Sequence, residues 1–331
     1  MKKRMPLWDN LRFFLITLVV IGHFSDFFTT QCQGYQSLFL FMYPFHMPLF
    51  LLISGHFFRP EKITSKCLFY ISIGFLLKLT IYGFTMFTGS ATSFSLLSDG
   101  GIPWYLFVLA IYTVITYLLR NQQPVYVLVF SIILACAAGF DKEIGDKLYL
   151  SRAIVFFPFY WTGFLLKGET LLNLKKVLWV KILAAALLIG WIAACIVIPD
   201  KLYILRHLLT GRNHYAPEIW AWGPAYRLLT YLISALVCFS VTILMPNRSI
   251  PLISKMGANT LDVYFWHWPV FILLSRYLHI RELFQMGLWG KIAYLLIAVL
   301  LTVCLSQGGL ISWPLNQIKK LCFYKKDGVL Q

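Results

Sequence analysis

Ten apolar runs, most of them long enough to cross a bilayer as a helix, decide most of what this chain can fold into. They lie at residues 8–28, 36–58, 67–88, 104–120, 124–140, 152–167, 176–198, 224–245, 257–276 and 285–313. Polar stretches such as RPEKITSK, RNQQP, KGETLLNLKK and MPNRSIPLISK separate them. A hydrocarbon core about 30 Å thick takes roughly 20 helical residues. The fourth, fifth and sixth runs fall short of that. No run alternates with the period of two of a membrane barrel, and a backbone in lipid must satisfy its own hydrogen bonds, so helix is the form left. With 59% hydrophobic and 13% charged residues, the composition is that of a membrane protein. The first run lacks a small-residue cleavage site and continues to Phe28, so it reads as a span and not a leader. The expected fold is all-α: a polytopic bundle of about ten transmembrane helices. It forms one domain over 1–331, with its core at 8–313 and a basic cytoplasmic tail at 314–331.

The net charge of +16 has a geography. Counted in alternate loops, sixteen lysines and arginines fall on the side of the two termini and seven on the other. The first two loops of the second side, 29–35 and 89–103, have none. Cytoplasmic loops carry the excess of positive charge, which places both termini in the cytoplasm. A multi-pass protein of a bacterial inner membrane is expected. Topology accounts for most of the charge, so the implied partner is the lipid bilayer and not nucleic acid. The seven cysteines stand singly, with no CxxC and no ligand spacing, so neither a metal site nor a disulfide framework is expected.

One stretch on the other side departs from the rule. Residues 199–223, PDKLYILRHLLTGRNHYAPEIWAWG, carry Lys201, Arg206, His207, Arg212 and His214 among Tyr203, Tyr215, Trp220 and Trp222. It is either a solvated loop with interfacial aromatics, or a lid or binding surface for a sugar or anionic acceptor.

Ionisable residues at membrane depth are costly and usually mark function. Lys181 and Lys291 lie near span ends, where they can snorkel. Arg227 and Asp262 are read as boundary residues. Arg12, His23, His46, Lys78 and His267 have no such explanation and should face an internal, wet cavity. Arg12 and His23 are eleven residues apart, a spacing that returns to within ~20° on a helix and about 16 Å further along it. One stripe therefore carries a permanent cation towards one membrane face and an imidazole towards the other. An imidazole can take and return a proton near neutral pH. Asp9, three residues before Arg12, suits ion pairing. Ser54, in ISGHFF, reads as a packing or hydrogen-bonding residue and not a nucleophile.

Five blocks in order resemble the membrane-bound acyltransferase 3 family, within it the fucose 4-O-acetylase-like branch. They are WDNLRFFLITLVVIGHF, FHMPLFLLISGHFF, PWYLFVLAIY, SRAIVFFPFYWTGFLLK and GANTLDVYFWHWPVF. The first resembles that family's Arg-x10-His motif. The resemblance implies an O-acyltransferase. It would pass an acyl group, acetyl by family habit, from cytoplasmic acyl-CoA to a hydroxyl of an extracytoplasmic or lipid-linked glycan. Acyl-CoA would be a co-substrate, with no bound cofactor. Carried onto this chain, His23 is the catalytic base and Arg12 its partner. Arg59 and Lys62 stand where many members have RxxR and would bind the donor, with Lys in the second place. Lys78, His46, Trp104 and Tyr105 are candidate oxyanion donors, and Asp9, Arg152 and His267 are supporting residues. A transporter or flippase would also suit buried charges, although no inverted repeat is visible. A non-catalytic sensor is the third reading.

Overall fold

The computed structural model describes residues 5–89, 93–98, 101–212 and 214–323. Lys2, Lys3, Arg4, Lys325 and Lys326, counted above towards the basic side, lie outside the described residues. In chain order the helices are α1 (Pro6–Ser25), α2 (Gln33–Met42), α3 (His46–His56), α4 (Ile63–Phe87), α5 (Trp104–Leu119) and α6 (Pro124–Ala138). Next come α7 (Leu150–Leu165), α8 (Gly168–Leu174), α9 (Leu178–Val197) and two single turns, α10 (Pro199–Leu202) and α11 (Arg206–Leu209). The chain ends through α12 (Gly223–Leu244), α13 (Pro251–Met256), α14 (Thr260–Tyr277), α15 (Gly287–Leu305) and α16 (Trp313–Phe323). The fold is all-α, with no strand among the described residues.

Six rods are long and apolar enough to cross a membrane: Pro6–Phe28, Gln33–His56, Ile63–Phe87, Leu178–Val197, Pro217–Leu244 and Gly287–Leu305. The other expected runs fold as α5, α6, α7 and α14, of 16, 15, 16 and 18 residues. At 1.5 Å per residue these rise roughly 23–27 Å.

Two runs differ from their sequence reading. The last was expected to reach residue 313, but its helix stops at Leu305. Gly308 and Gly309 then take φ of 76° and 79°, a left-handed backbone that ends helices. The chain turns back, and α16 packs on α4, with Phe323 edge-on to Phe69 at 5.6 Å. The second run is not one helix. Pro44 has no N–H to continue α2, and α3 restarts at His46. Pro48 falls in the first turn of α3, where no intrahelical bond is lost.

Hydrogen bonds define two faces. On the N-terminal face, Asn10 donates to the carbonyls of Pro246 and Arg248, both at 3.0 Å. There too His56 Nδ1 meets Leu166 O at 3.1 Å. Lys175 donates to the carbonyls of Thr242, Ile243 and Met245 at the end of α12. On the opposite face, Ser151 donates to Gly211 O at 2.5 Å and Tyr215 N to Gly139 O at 2.8 Å. The Tyr215 ring lies in a slot between Gly139 and Gly223, where a Cβ on either glycine would fall within 2.3 Å of it.

Helices α3 and α7 pack backbone against backbone. A Cβ on Gly55 would lie 2.0 Å from Tyr160 O, and one on Gly163 would lie 1.9 Å from Leu52 O. Each glycine receives the other helix's backbone, the means by which helices associate where lipid supplies no hydrophobic driving force. Arg227 and Asp262 stand near the starts of α12 and α14, but they are buried and do not reach out to solvent. Arg227 is fully buried and donates to Leu208 O, and Asp262 accepts from Ser312 Oγ. Both hold connecting segments onto the bundle.

Candidate functional site

Helix α1 is buried along most of its length, and the stripe Arg12, Ile16, Val19, His23 runs along it with steps of 4, 3 and 4 residues. That spacing keeps four side chains on one face. His23 lines a cavity of about 540 Å³ that extends to the opposite face. Ile16 and Val19 line a second, apolar cavity of about 150 Å³ on the N-terminal side of it. Met47 lines both. The stripe thus faces the bundle interior and not lipid.

The break at Pro44 lies beside the larger cavity. Tyr43, His46 and Met47 flank the break and line the cavity wall. Non-helical backbone at membrane depth is tolerated only where protein covers it or a wet cavity serves it. The first-turn N–H groups of α3 have no intrahelical acceptor, and they belong to His46 and Met47.

The three histidines have different settings. The His23 ring stacks on His267 at 5.4 Å and stands edge-on to Trp268 at 5.5 Å. His267 is fully buried, and its Nδ1 lies 2.9 Å from Val263 O. His46 Nδ1 lies 2.9 Å from Met42 O, so in the neutral ring the proton sits on Nδ1 and Nε2 is left as an acceptor. That arrangement does not suit a neutral His46 ring to donate to an oxyanion. His267 does not line the cavity itself; it backs His23.

Lys78 lines the cavity, but its donors are engaged: Leu96 O at 3.1 Å, Ser98 O at 3.4 Å and Tyr149 OH at 2.8 Å. It clamps the segment 93–98 over the opening. Lys78→Met removes these bonds between α4 and the segment, at about 0.5–1.5 kcal/mol for each. The expected result is faster proteolytic cutting within 93–98, read by limited proteolysis with mass spectrometry. An unchanged digestion pattern contradicts the clamp. Arg152 also lines the cavity. It pairs with Asp146 at 3.7 Å, donates to Thr210 O and lies over Trp104, 5.1 Å from the ring. Trp104 stacks in turn on Phe156 at 5.6 Å.

Segment 199–223 supplies one wall of this cavity and is not a detached solvated loop. Arg206, His207, Thr210 and Arg212 line it. Arg206 pairs with Asp26 at 2.6 Å and donates to Thr29 Oγ1 and Tyr203 OH. Asp26 was not singled out from the sequence, although it stands three residues after His23, at the C-terminal cap of α1. Tyr43 and Met47 were also missed, because they read as ordinary apolar positions of an unbroken span.

The remaining candidates lie elsewhere. Tyr105 lines the apolar cavity, where its hydroxyl meets Ser54 Oγ at 3.0 Å, so it does not share the large cavity with His23. Ser54 also donates to Phe50 O at 2.9 Å, as a hydrogen-bonding residue would. Asp9 and Arg12 pair at 3.7 Å on the N-terminal face, and the Arg12 guanidinium lies 4.6 Å over Phe57. Arg59 donates to its neighbour's carbonyl, Phe58 O, at 2.7 Å. Lys62 is exposed in a left-handed conformation, φ 54°, immediately before α4. Among the described residues no cluster of histidine, cysteine, aspartate or glutamate could hold a metal ion.

A family model described as Acyltransferase domain matches residues 6–308. No curated protein and no solved structure matches the chain.

Proposed function

The chain belongs to the acyltransferase 3 family and is an acyltransferase of the membrane-bound kind; from that premise we propose that it transfers an acyl group, acetyl by preference, from cytoplasmic acyl-CoA to a hydroxyl of an extracytoplasmic or lipid-linked glycan. The observation that supports this reading best is the pair of cavities on one α1 stripe, apolar on the Arg12 side of His23 and polar beyond it. A pantetheine arm is long and thin, and the methylene and gem-dimethyl groups between its amides suit the first. A sugar suits the second, where charged and aromatic side chains mix.

In this scheme the phosphates of the donor stay at the N-terminal face, within reach of Arg12, Arg59 and Lys62. The pantetheine arm passes Ile16 and Val19 and brings the thioester to His23. His23 takes the proton of the acceptor hydroxyl as its oxygen attacks the thioester carbon. The resulting oxyanion is met by the first-turn N–H groups of α3, fixed donors at the end of a helix whose dipole favours negative charge. The tetrahedral intermediate collapses, the C–S bond breaks, and the proton on His23 passes to the departing CoA thiolate. The ester remains on the acceptor and His23 is neutral again. No paired serine or cysteine nucleophile is needed.

The test is reconstitution of the full chain in liposomes with isotope-labelled acetyl-CoA and an extracted surface glycan as acceptor. Acceptor-dependent release of free CoA with label on the glycan is the expected result. Movement of glycan across the bilayer without thiol release would instead make the protein a transporter.

A further inference from the structure

The larger cavity is basic in a way that membrane topology does not explain. Translocated loops are normally poor in Lys and Arg, and the loop at 29–35 has neither. Yet Arg206, His207 and Arg212 lie in a segment on that same face, and they join Lys78 and Arg152 around one cavity. Asp26 is the single acidic residue among the described lining residues, and Arg206 holds it at 2.6 Å. Lys78 and Arg152 are each only 6% exposed, so their charges are poorly screened by solvent. His207 reports the field at the rim. Its pKa is lowered first by burial and then by Arg212 and Arg206, so a further positive charge is disfavoured there.

We propose that the acceptor carries an anionic group close to the hydroxyl it presents, as a uronic acid or a phosphate-bearing sugar does, and that Arg212 and His207 select for it at the rim. This rests on reading the large cavity as the acceptor site. Asp26 and Asp146 already face Arg206 and Arg152, whereas Arg212 and His207 border a cavity whose one acidic residue among the described lining is taken. A carboxylate or phosphate there makes charge-assisted hydrogen bonds that a neutral sugar cannot. Trp104 and Trp268 also line the cavity and mix aromatic edges with its charged groups.

The experiment measures binding to the full-length protein in nanodiscs, without acyl transfer. Three probes are titrated: p-nitrophenyl β-glucuronide, glucose 1-phosphate and the neutral p-nitrophenyl β-glucoside. At about 50 mM salt at least one anionic probe is expected to bind about tenfold or more tightly than the glucoside, and the advantage should shrink at about 500 mM. Whichever anionic probe binds more tightly identifies carboxylate or phosphate. Arg212 and His207 are exposed, so Arg212→Glu and His207→Gln should fold normally. Together they should remove the advantage and leave glucoside binding unchanged. Equal binding of charged and neutral probes overturns the proposal, as does no binding of any, or an advantage that survives both substitutions. Weakened binding of CoA itself in Arg212→Glu would assign these charges to the donor and also overturn it. Efficient transfer to neutral glycans without charge preference sinks this inference alone. Anionic preference without any transfer sinks the catalytic reading alone.

Discussion

Replacing His23 by alanine is expected to lower acyl transfer by about 10²–10⁴-fold, the range that a positioned general base contributes. The protein should stay folded, because the His23 side chain is partly open to the cavity while its neighbours Gly22 and Phe24 carry the packing. His23→Gln is the sharper variant. It keeps a polar side chain of similar reach but cannot carry the proton, so it should be as inactive as alanine. Transfer is read as label on the glycan, and folding as a monodisperse peak in detergent. Near-normal transfer in His23→Gln would reduce the residue to a packing role against His267 and Trp268. His46→Gln is the companion measurement. It should cost far less, since Nδ1 of His46 is held by Met42 O and the backbone N–H groups beside it remain.

The largest structural effect is expected at Gly163. A side chain there starts with its Cβ 1.9 Å from Leu52 O, and the obstacle is backbone, which cannot rotate away. Gly163→Leu therefore forces α3 and α7 apart, at or beyond the ~3 kcal/mol upper end of ordinary overpacking. Loss of the monodisperse species, or a large fall in thermal midpoint, is the expected outcome. Gly163→Ala should lie between Leu and wild type. A normal midpoint for Gly163→Leu would show that the two helices do not pack backbone to backbone. The effect reaches the site, because α3 carries His46 and Met47 and α7 carries Arg152, on the walls of one cavity.

Much of this was readable from residues alone, for reasons that differ by element. The helical runs are visible because lipid forces each span to be both apolar and internally hydrogen-bonded. The Arg12–His23 stripe is visible because helical spacing is fixed and charges at depth are rare. Asp9 follows from the same spacing and pairs with Arg12. The break at Pro44 was hidden, since hydropathy sums over residues 36–58 without registering where a backbone donor is missing. Lys78 was read as a cavity-facing cation and candidate oxyanion donor; it does line the cavity, but it also holds the carbonyls of 96 and 98, which sequence separation conceals. Tyr105 was grouped with Trp104 as its neighbour in sequence. On a helix adjacent residues point about 100° apart, and the two line different cavities. The basic stretch at 199–223 was left between two readings, and only its placement against Asp26 and Thr29 shows it to be a cavity wall.

The split second rod also bears on how the protein is made. With 10 and 11 residues, α2 and α3 each rise roughly 15–17 Å, about half the thickness of the hydrocarbon core. Neither half anchors itself in a bilayer. The partner that holds α3 is α7, which the ribosome delivers about ninety residues later. Until then α3 lacks its backbone-to-backbone partner, and of the helices that pack on the break only α1 precedes it, through Phe14 against Phe45 and Gly22 beside Tyr43. A nascent chain that ends before residue 150 therefore holds a split second rod without the helix that α3 packs against most intimately.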